Sequence, residues 1–270
     1  MRGDPGSEAA SDAARLWAEQ LAAWTVPPEI LDRAPVRPFV FSPEMFAAPA
    51  PTAARLSRSS RVAAEALGDG GVVLDVGCGG GAAAFAVTPP ATAVVGTDRQ
   101  LDMLRLFEQT AAERGIQANT VLGSWPEVAS QVPRADVVVC HNVLYNAPDL
   151  VSFAAALDDH ARSRVVIELT EQHPQVARAP LWKHFWDLDR PSGPTATLAA
   201  EALQAAGFPV RVERSTATSR DDARAAQVEA SFWCRQLCLP PEREDEVAAL
   251  LSDLPFPSLR VTIWWDCPRT

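Results

Sequence analysis

Lysine is almost missing from this sequence: Lys183 is the only one, so every other fixed cation is an arginine. Tyrosine is equally scarce, with Tyr145 alone. No run of 18 apolar residues occurs, which excludes a membrane-spanning helix of ordinary length. The N-terminus MRGDPGSEAASDAARLW has no apolar h-region, so it does not read as a secretory signal and the expected compartment is cytoplasmic. Cysteines are few and odd in number: Cys78, Cys140, Cys234, Cys238 and Cys267, with no paired CxxC ladder. That pattern speaks against a disulfide framework and suits a reducing compartment. Cys234 and Cys238 are spaced to share a helix face, but no second Cys/His pair at finger-like spacing accompanies them. They read as buried thiols, and no metal is expected. Positive charge is also in deficit, 24 basic against 34 acidic residues for a net −10. Such a balance disfavours tight, non-specific binding to nucleic acid or to anionic membrane.

What is present is enough for a large core. The 270 residues are 47% hydrophobic and 21% charged, as in ordinary globular proteins. A flexible leader is expected over residues 1–10, then a helix over 11–24 with Trp17, Leu21 and Trp24 on one face. Residues 25–51 are dense in proline and include Phe39, Phe41, Met45 and Phe46. A helix over 52–67 ends at Gly68; its Arg55, Arg58 and Arg61 read as a solvated face. From Gly71 the grammar becomes strand and helix in alternation, with apolar strands at 72–76, 93–97, 136–140 and 165–169 and a shorter one at 119–122. Strands apolar on both faces imply a parallel sheet covered on both sides. Helices at 198–206, 221–238 and 242–251 and strands at 210–214 and 259–265 complete the chain. This divides it into an N-terminal helical lid, 1–51, and a core, 52–270, with a helical insertion at about 221–251.

The informative segment is Val72–Gly81, VVLDVGCGGG. A strand running straight into Gly77, Gly79 and Gly81 lets backbone pass close to a ligand. The spacing Gly77-x-Gly79-x-x-Ala82 also fits a dinucleotide loop, so an NAD(P)-dependent oxidoreductase is one reading. Asp75 would face a pyrophosphate unfavourably and suits a ligand with an ammonium group. Asp98, ending the next strand, can accept hydrogen bonds from both hydroxyls of a ribose. Leu101 and Met103 follow it as apolar cover for an adenine.

These residues resemble the class I S-adenosylmethionine (SAM) dependent methyltransferases. Asp75-Val-Gly77-Cys78-Gly79-Gly-Gly81 is similar to that family's first motif, and Gly96-Thr-Asp98-Arg99 with Leu101-Asp-Met103 to its second. Gly123-Ser124-Trp125-Pro126 falls where the family contacts adenine, with Ser124 in place of the frequent Asp. Asp136-Val-Val-Val-Cys140-His141-Asn142 resembles its fourth strand and following loop. The resemblance implies a Rossmann-like, doubly wound, mostly parallel seven-stranded sheet with the last strand antiparallel. It also implies SAM as cofactor, held by Asp75, Gly77, Cys78, Gly79, Gly81, Asp98, Arg99, Met103, Ser124, Trp125 and His141.

Methyl transfer from a sulfonium is an in-line displacement of an already activated group. The protein must align the acceptor and exclude water. His141 and Tyr145 are the candidate catalytic side chains, with His173 a further candidate base. Glu168 and Glu171, after the fifth strand, read as solvated or Arg-paired. Trp182 and Trp186 read as core packing. The lid is rich in Trp, Phe and Pro, which fits a small apolar or aromatic acceptor. A non-catalytic protein that binds SAM or S-adenosylhomocysteine (SAH) has the same motifs.

Overall fold

A computed structural model describes residues 5–41, 43, 57–216, 223–255 and 259–267. Met45, Phe46 and Arg55 lie outside the described residues. Seven strands form one sheet: β1 (Gly71–Val76), β2 (Ala91–Asp98), β3 (Gln117–Leu122), β4 (Ala135–His141), β5 (Ala161–Thr170), β6 (Arg211–Thr216) and β7 (Leu259–Asp266). Their order is β3-β2-β1-β4-β5-β7-β6. Strands β1 to β5 run parallel, and β7 lies between β5 and β6, antiparallel to both. This is the doubly wound sheet expected, with the last strand in chain order reversed.

Helices cover both faces, which is why the central strands do not alternate apolar with polar. On one face lie α1 (Pro5–Ala22), α6 (Leu150–His160) and α8 (Ala196–Ala205). They bury Trp17, Phe153, Leu157 and Leu203 against Leu74, Val138, Val165, Ile167 and Trp265. On the other lie α3 (Arg58–Leu67), α4 (Ala82–Phe85) and α5 (Leu101–Glu113). They bury Val62, Leu67, Phe85 and Phe107 against Val73, Val94, Val137 and Val166. Ser57 caps α3 by accepting the Ser60 N–H, and Gly68 ends it at φ +57°. Helix α1 begins at Pro5, inside the stretch expected as a flexible leader. Proline is well tolerated in a first helical turn because its missing N–H has no partner there.

A third cluster is built from segments far apart in sequence. It joins α2 (Pro28–Leu31), α7 (Ala179–Trp186), α9 (Ala223–Gln236) and α10 (Glu244–Ser252). Ile30, Leu181, Trp182, Phe232, Trp233 and Val247 are buried in it, with Phe39, Phe41, Phe185 and Trp186 packed alongside. Trp186 donates its indole N–H to Leu237 O at 2.7 Å. Lys183, on α7, is paired with Asp187 and Asp189 at 2.8 and 3.2 Å. The cluster is tied to the carboxyl end of the sheet by Gln100, just after β2. Its side-chain amide accepts the Phe41 N–H and donates to Phe41 O, both at 3.2 Å. Phe41 in turn stacks on Phe232 of α9 at 5.7 Å.

No helix among the described residues is long and apolar enough to cross a membrane. All five cysteines are free and buried.

Trp17 is fully buried, donates to Ala147 O at 2.9 Å and stacks on Tyr145 at 5.6 Å. Trp17→Ala is expected to cost about 3–5 kcal/mol, as for other buried aromatics truncated to alanine. Urea denaturation checks this; a loss under about 1 kcal/mol would mean that α1 rests on the core without supporting it.

Candidate functional site

The carboxyl ends of β1, β2 and β4 converge on the glycine turn. Gly77 has φ +69°, and a β-carbon there would lie 2.4 Å from Val143 Cγ2. Gly81, at φ +82°, would place one 2.2 Å from Phe85 Cε2. Only glycine adopts such backbone without strain and leaves such space. The turn is fixed from below by the Cys78 N–H, donated to Thr97 O at 2.9 Å. The Gly79 N–H is donated to Asp98 Oδ2 at 3.0 Å, and the Gln100 N–H to Asp98 Oδ1 at 2.9 Å. Each carboxylate oxygen of Asp98 retains acceptor capacity for a further donor. The Cys78 side chain is buried beside Gly96, where a β-carbon would meet its sulfur at 2.9 Å.

Asp75 lies under the turn, 1% exposed, accepting the Ala84 N–H at 3.1 Å. Burial pushes its pKa up to about 8; the Ala84 bond pulls it down, and the nearby Asp98 pushes it further up. A carboxyl in this state gains from a cationic group brought to it, because the cation favours the ionised form.

The other expected site residues are distributed as follows. Met103 is buried, whereas Leu101 is 48% exposed. Arg99 and Ser124 are exposed. Trp125 is half-buried, donating to Phe153 O at 3.3 Å with its ring on the edge of His160 at 4.9 Å. His141 ends β4; its Nε2 is buried and has no hydrogen-bond partner. Desolvation lowers its pKa, and the charge of Glu168 raises it. The Tyr145 hydroxyl is donated to Thr170 O at 2.6 Å, and burial raises its pKa. Its ring lies between Trp17 and His173. His173 is stacked on Trp24 at 4.2 Å. Desolvation, with a smaller contribution from Arg190, lowers its pKa to about 3. The Gln175 N–H is donated to its Nδ1 at 3.3 Å, so the neutral ring holds its proton on Nε2. Glu171 is Arg-paired, to Arg214 at 3.0 Å. Arg58 is not simply solvated: it pairs with Glu213 at 2.7 Å and lies over Trp264.

Three contributors have no plain mark in the sequence. Gln100 clamps Phe41, as described. Arg190 donates to Trp24 O and lies over both Trp24 and Trp182 at 4.9 Å. Ser59 donates to Glu168 at 2.5 Å. Only the serine run Ser57, Ser59, Ser60 carried a signal, as a helix N-cap.

A Rossmann-like sheet with a glycine turn and an acid ending its second strand is an arrangement suited to a nucleoside. Residues 73–164 match the methyltransferase domain family. Over 95 residues the chain is 37% identical to the ubiquinone biosynthesis O-methyltransferase of Klebsiella pneumoniae (strain 342), covering 35% of this chain and 37% of that protein. The chain thus matches little more than a third of that relative's length. The structure of magnesium protoporphyrin IX methyltransferase from Synechocystis PCC 6803 with bound SAH aligns at TM-score 0.51 and 16% identity, over 78% of this chain and 80% of that one. A structure from the conversion of a disulfide bond into a thioacetal group in echinomycin biosynthesis aligns at TM-score 0.53 and 16% identity, over 85% and 89%. These two similarities concern the fold. Over residues 73–164, about a third of its length, the chain is thus similar to a methyltransferase domain, and its sheet has the fold of these two structures.

The state of Asp75 predicts a pH dependence. Its folded pKa, about 8, lies above the unfolded value, so the native state retains a proton that the unfolded chain releases. Its contribution to stability is complete below pH 4 and is lost as pH rises toward 8, at up to about 1.4 kcal/mol per pH unit. Melting temperatures of the ligand-free protein from pH 5 to 8 should fall more steeply in the wild type than in Asp75→Asn. Parallel curves would show that Asp75 ionises normally.

Proposed function

We propose that the protein is a SAM-dependent methyltransferase acting on a small apolar or aromatic acceptor. The observation that carries this reading is the buried Asp75 carboxyl beneath a turn whose next contact is Asp98. A dinucleotide would bring a pyrophosphate, whose negative charge would push the buried Asp75 carboxyl still further from ionisation. A nucleoside joined to an amino acid through a sulfonium brings positive charge instead, and Asp75 favours it. The residues therefore fit SAM. When bound, SAM supplies a methyl group already activated by a positively charged sulfur.

Asp75, Gly77, Cys78, Gly79 and Gly81 would hold the amino-acid end, and Asp98 the ribose hydroxyls. Met103, Ser124 and Trp125 would border the base, with Arg99 contributing main chain. His141, ending β4, stands where donor and acceptor would meet. Tyr145 serves as a wall, since its hydroxyl proton is committed to Thr170. The described part of the N-terminal segment, 5–41, and that of the insertion, 223–251, joined by α7, would act as a lid that excludes water and orients the acceptor. The apolar make-up of that cluster, with Phe39, Phe41 and Trp186 beside it, favours an apolar or aromatic compound. The O-methyltransferase relatives favour oxygen as the methylated atom.

Calorimetric titration with SAH, with NAD(P)H in parallel, tests the reading. SAH is expected to bind and NAD(P)H not to. Asp98→Ala should weaken SAH at least tenfold, the loss of about one charged hydrogen bond. SAH at about 100 times its Kd should also stabilise the fold by about 2.7 kcal/mol. Binding of the nicotinamide compound instead, or no binding of SAH, would overturn it.

A further inference from the structure

Strands β4 and β5 pair in parallel with His141 opposite Glu168, so both side chains leave the same face at the carboxyl end of the sheet. The two strand ends are also locked together by the Asn142 N–H, donated to Glu168 O at 2.7 Å. Glu168 is only 9% exposed, and a buried carboxylate requires donors. Ser59, in the first turn of α3, supplies one: its hydroxyl is donated to Glu168 Oε2 at 2.5 Å. A serine hydroxyl has a single proton to donate. With that of Ser59 committed to Glu168, the 2.7 Å contact between Ser57 and Ser59 must be donated by Ser57. The 2.8 Å contact between Ser57 and Ser60 is then donated by Ser60. Three hydroxyl protons thus point in sequence toward one carboxylate. The positive end of the α3 dipole has the same sense.

Other charges face this spot. Arg260, on β7, lies opposite Thr170 of β5; burial lowers its proton affinity and the charge of Glu168 raises it. Glu213 on β6 lies opposite Thr262 and is paired with Arg58 of α3. Asp75 on β1 lies opposite Val139, two residues before His141 on the same face of β4. His141 Nε2 has no protein partner. With the ring proton on Nδ1, that nitrogen offers its lone pair to a ligand donor.

Resting on the methyltransferase reading, we propose that Glu168 is a positioning residue for His141. Oriented by the Ser60–Ser57–Ser59 chain, its carboxylate stabilises the imidazolium formed when His141 Nε2 takes the proton of a hydroxyl acceptor. The acceptor class is then an alcohol or phenol, which must lose a proton, as opposed to a tertiary amine or thioether, which need not. The acceptor oxygen forms the new bond to the methyl carbon, the methyl–sulfur bond breaks with its electron pair left on sulfur, and the hydroxyl proton passes to Nε2. The positive charge that leaves sulfur therefore ends on His141, opposite Glu168.

The test is the titration of His141 in the full-length protein, followed by NMR with carbon-labelled histidine and assigned through His141→Gln. Glu168→Gln should lower the proton affinity of His141 by about tenfold or more, the usual effect of removing a facing opposite charge. Glu168→Asp should restore most of it. Arg260→Met should shift the titration the other way, which keeps the test decisive if Glu168→Gln fails to fold. A His141 titration unchanged in Glu168→Gln and Arg260→Met would overturn the proposal. SAH binding to the wild type, measured separately, reports on the underlying reading, so either can fail without the other.

Discussion

A β-carbon on Gly77 would meet Val143 at 2.4 Å, one on Gly81 would meet Phe85 at 2.2 Å, and one on Gly96 would meet Cys78 at 2.9 Å. The turn after β1 therefore passes between the ends of β2 and β4 as bare backbone. Its N–H groups become the positioning devices: Cys78 is fixed on Thr97 and Gly79 on Asp98. Because β2 and β4 flank β1, this passage sets where Asp98 and His141 stand relative to each other. The short α4, begun at Gly81, supplies the N–H that meets Asp75. Loss of any of these small residues would displace two strand ends together.

The sheet was legible because its chemistry is local. Val72–Val76 and Val165–Leu169 are apolar without alternation, and that is the signature of strands covered on both faces. The places of Asp75, two residues before Gly77, and of Asp98, at a strand end, were legible for the same reason. The contacts of Gln100, Arg190 and Glu168 were not, and Glu168, read as solvated or Arg-paired, is buried against a serine. Gln100 finds Phe41, Arg190 finds Trp24, and Glu168 finds Ser59, all across long stretches of chain. Such contacts leave no periodicity, and a lone polar residue in sequence is compatible with solvent. The start of α1 was also misplaced. Polar, acidic residues 5–10 look like a leader, yet they continue a helix whose apolar face begins further on.

The N-terminal segment is tied into the sheet by aromatic rings and by main-chain bonds. Trp17, Tyr145, His173 and Trp24 form a continuous stack of ring contacts from α1 to the loop after β5. Trp24 adds a hydrogen bond to Gly193 O at 2.5 Å. Farther along, Phe41 is held by Gln100 only two positions beyond Asp98. The segment that helps form the third hydrophobic cluster is thus seated on the same few residues that end β2. The geometry of the cluster and that of the nucleoside-binding turn are mechanically shared.

Lys183 is the one lysine of the chain, and its side chain on α7 is 52% exposed. Chemistry directed at side-chain amines consequently has a single address, and that address is on the third cluster, away from the glycine turn. A fluorophore or cross-linker attached there would report on the movement of this cluster against the sheet without removal of competing lysines. The ion pairs with Asp187 and Asp189 hold the proton on its amine, so the coupling would call for alkaline conditions or a high concentration of reagent. A scarcity of one residue type thereby becomes a site-selective handle.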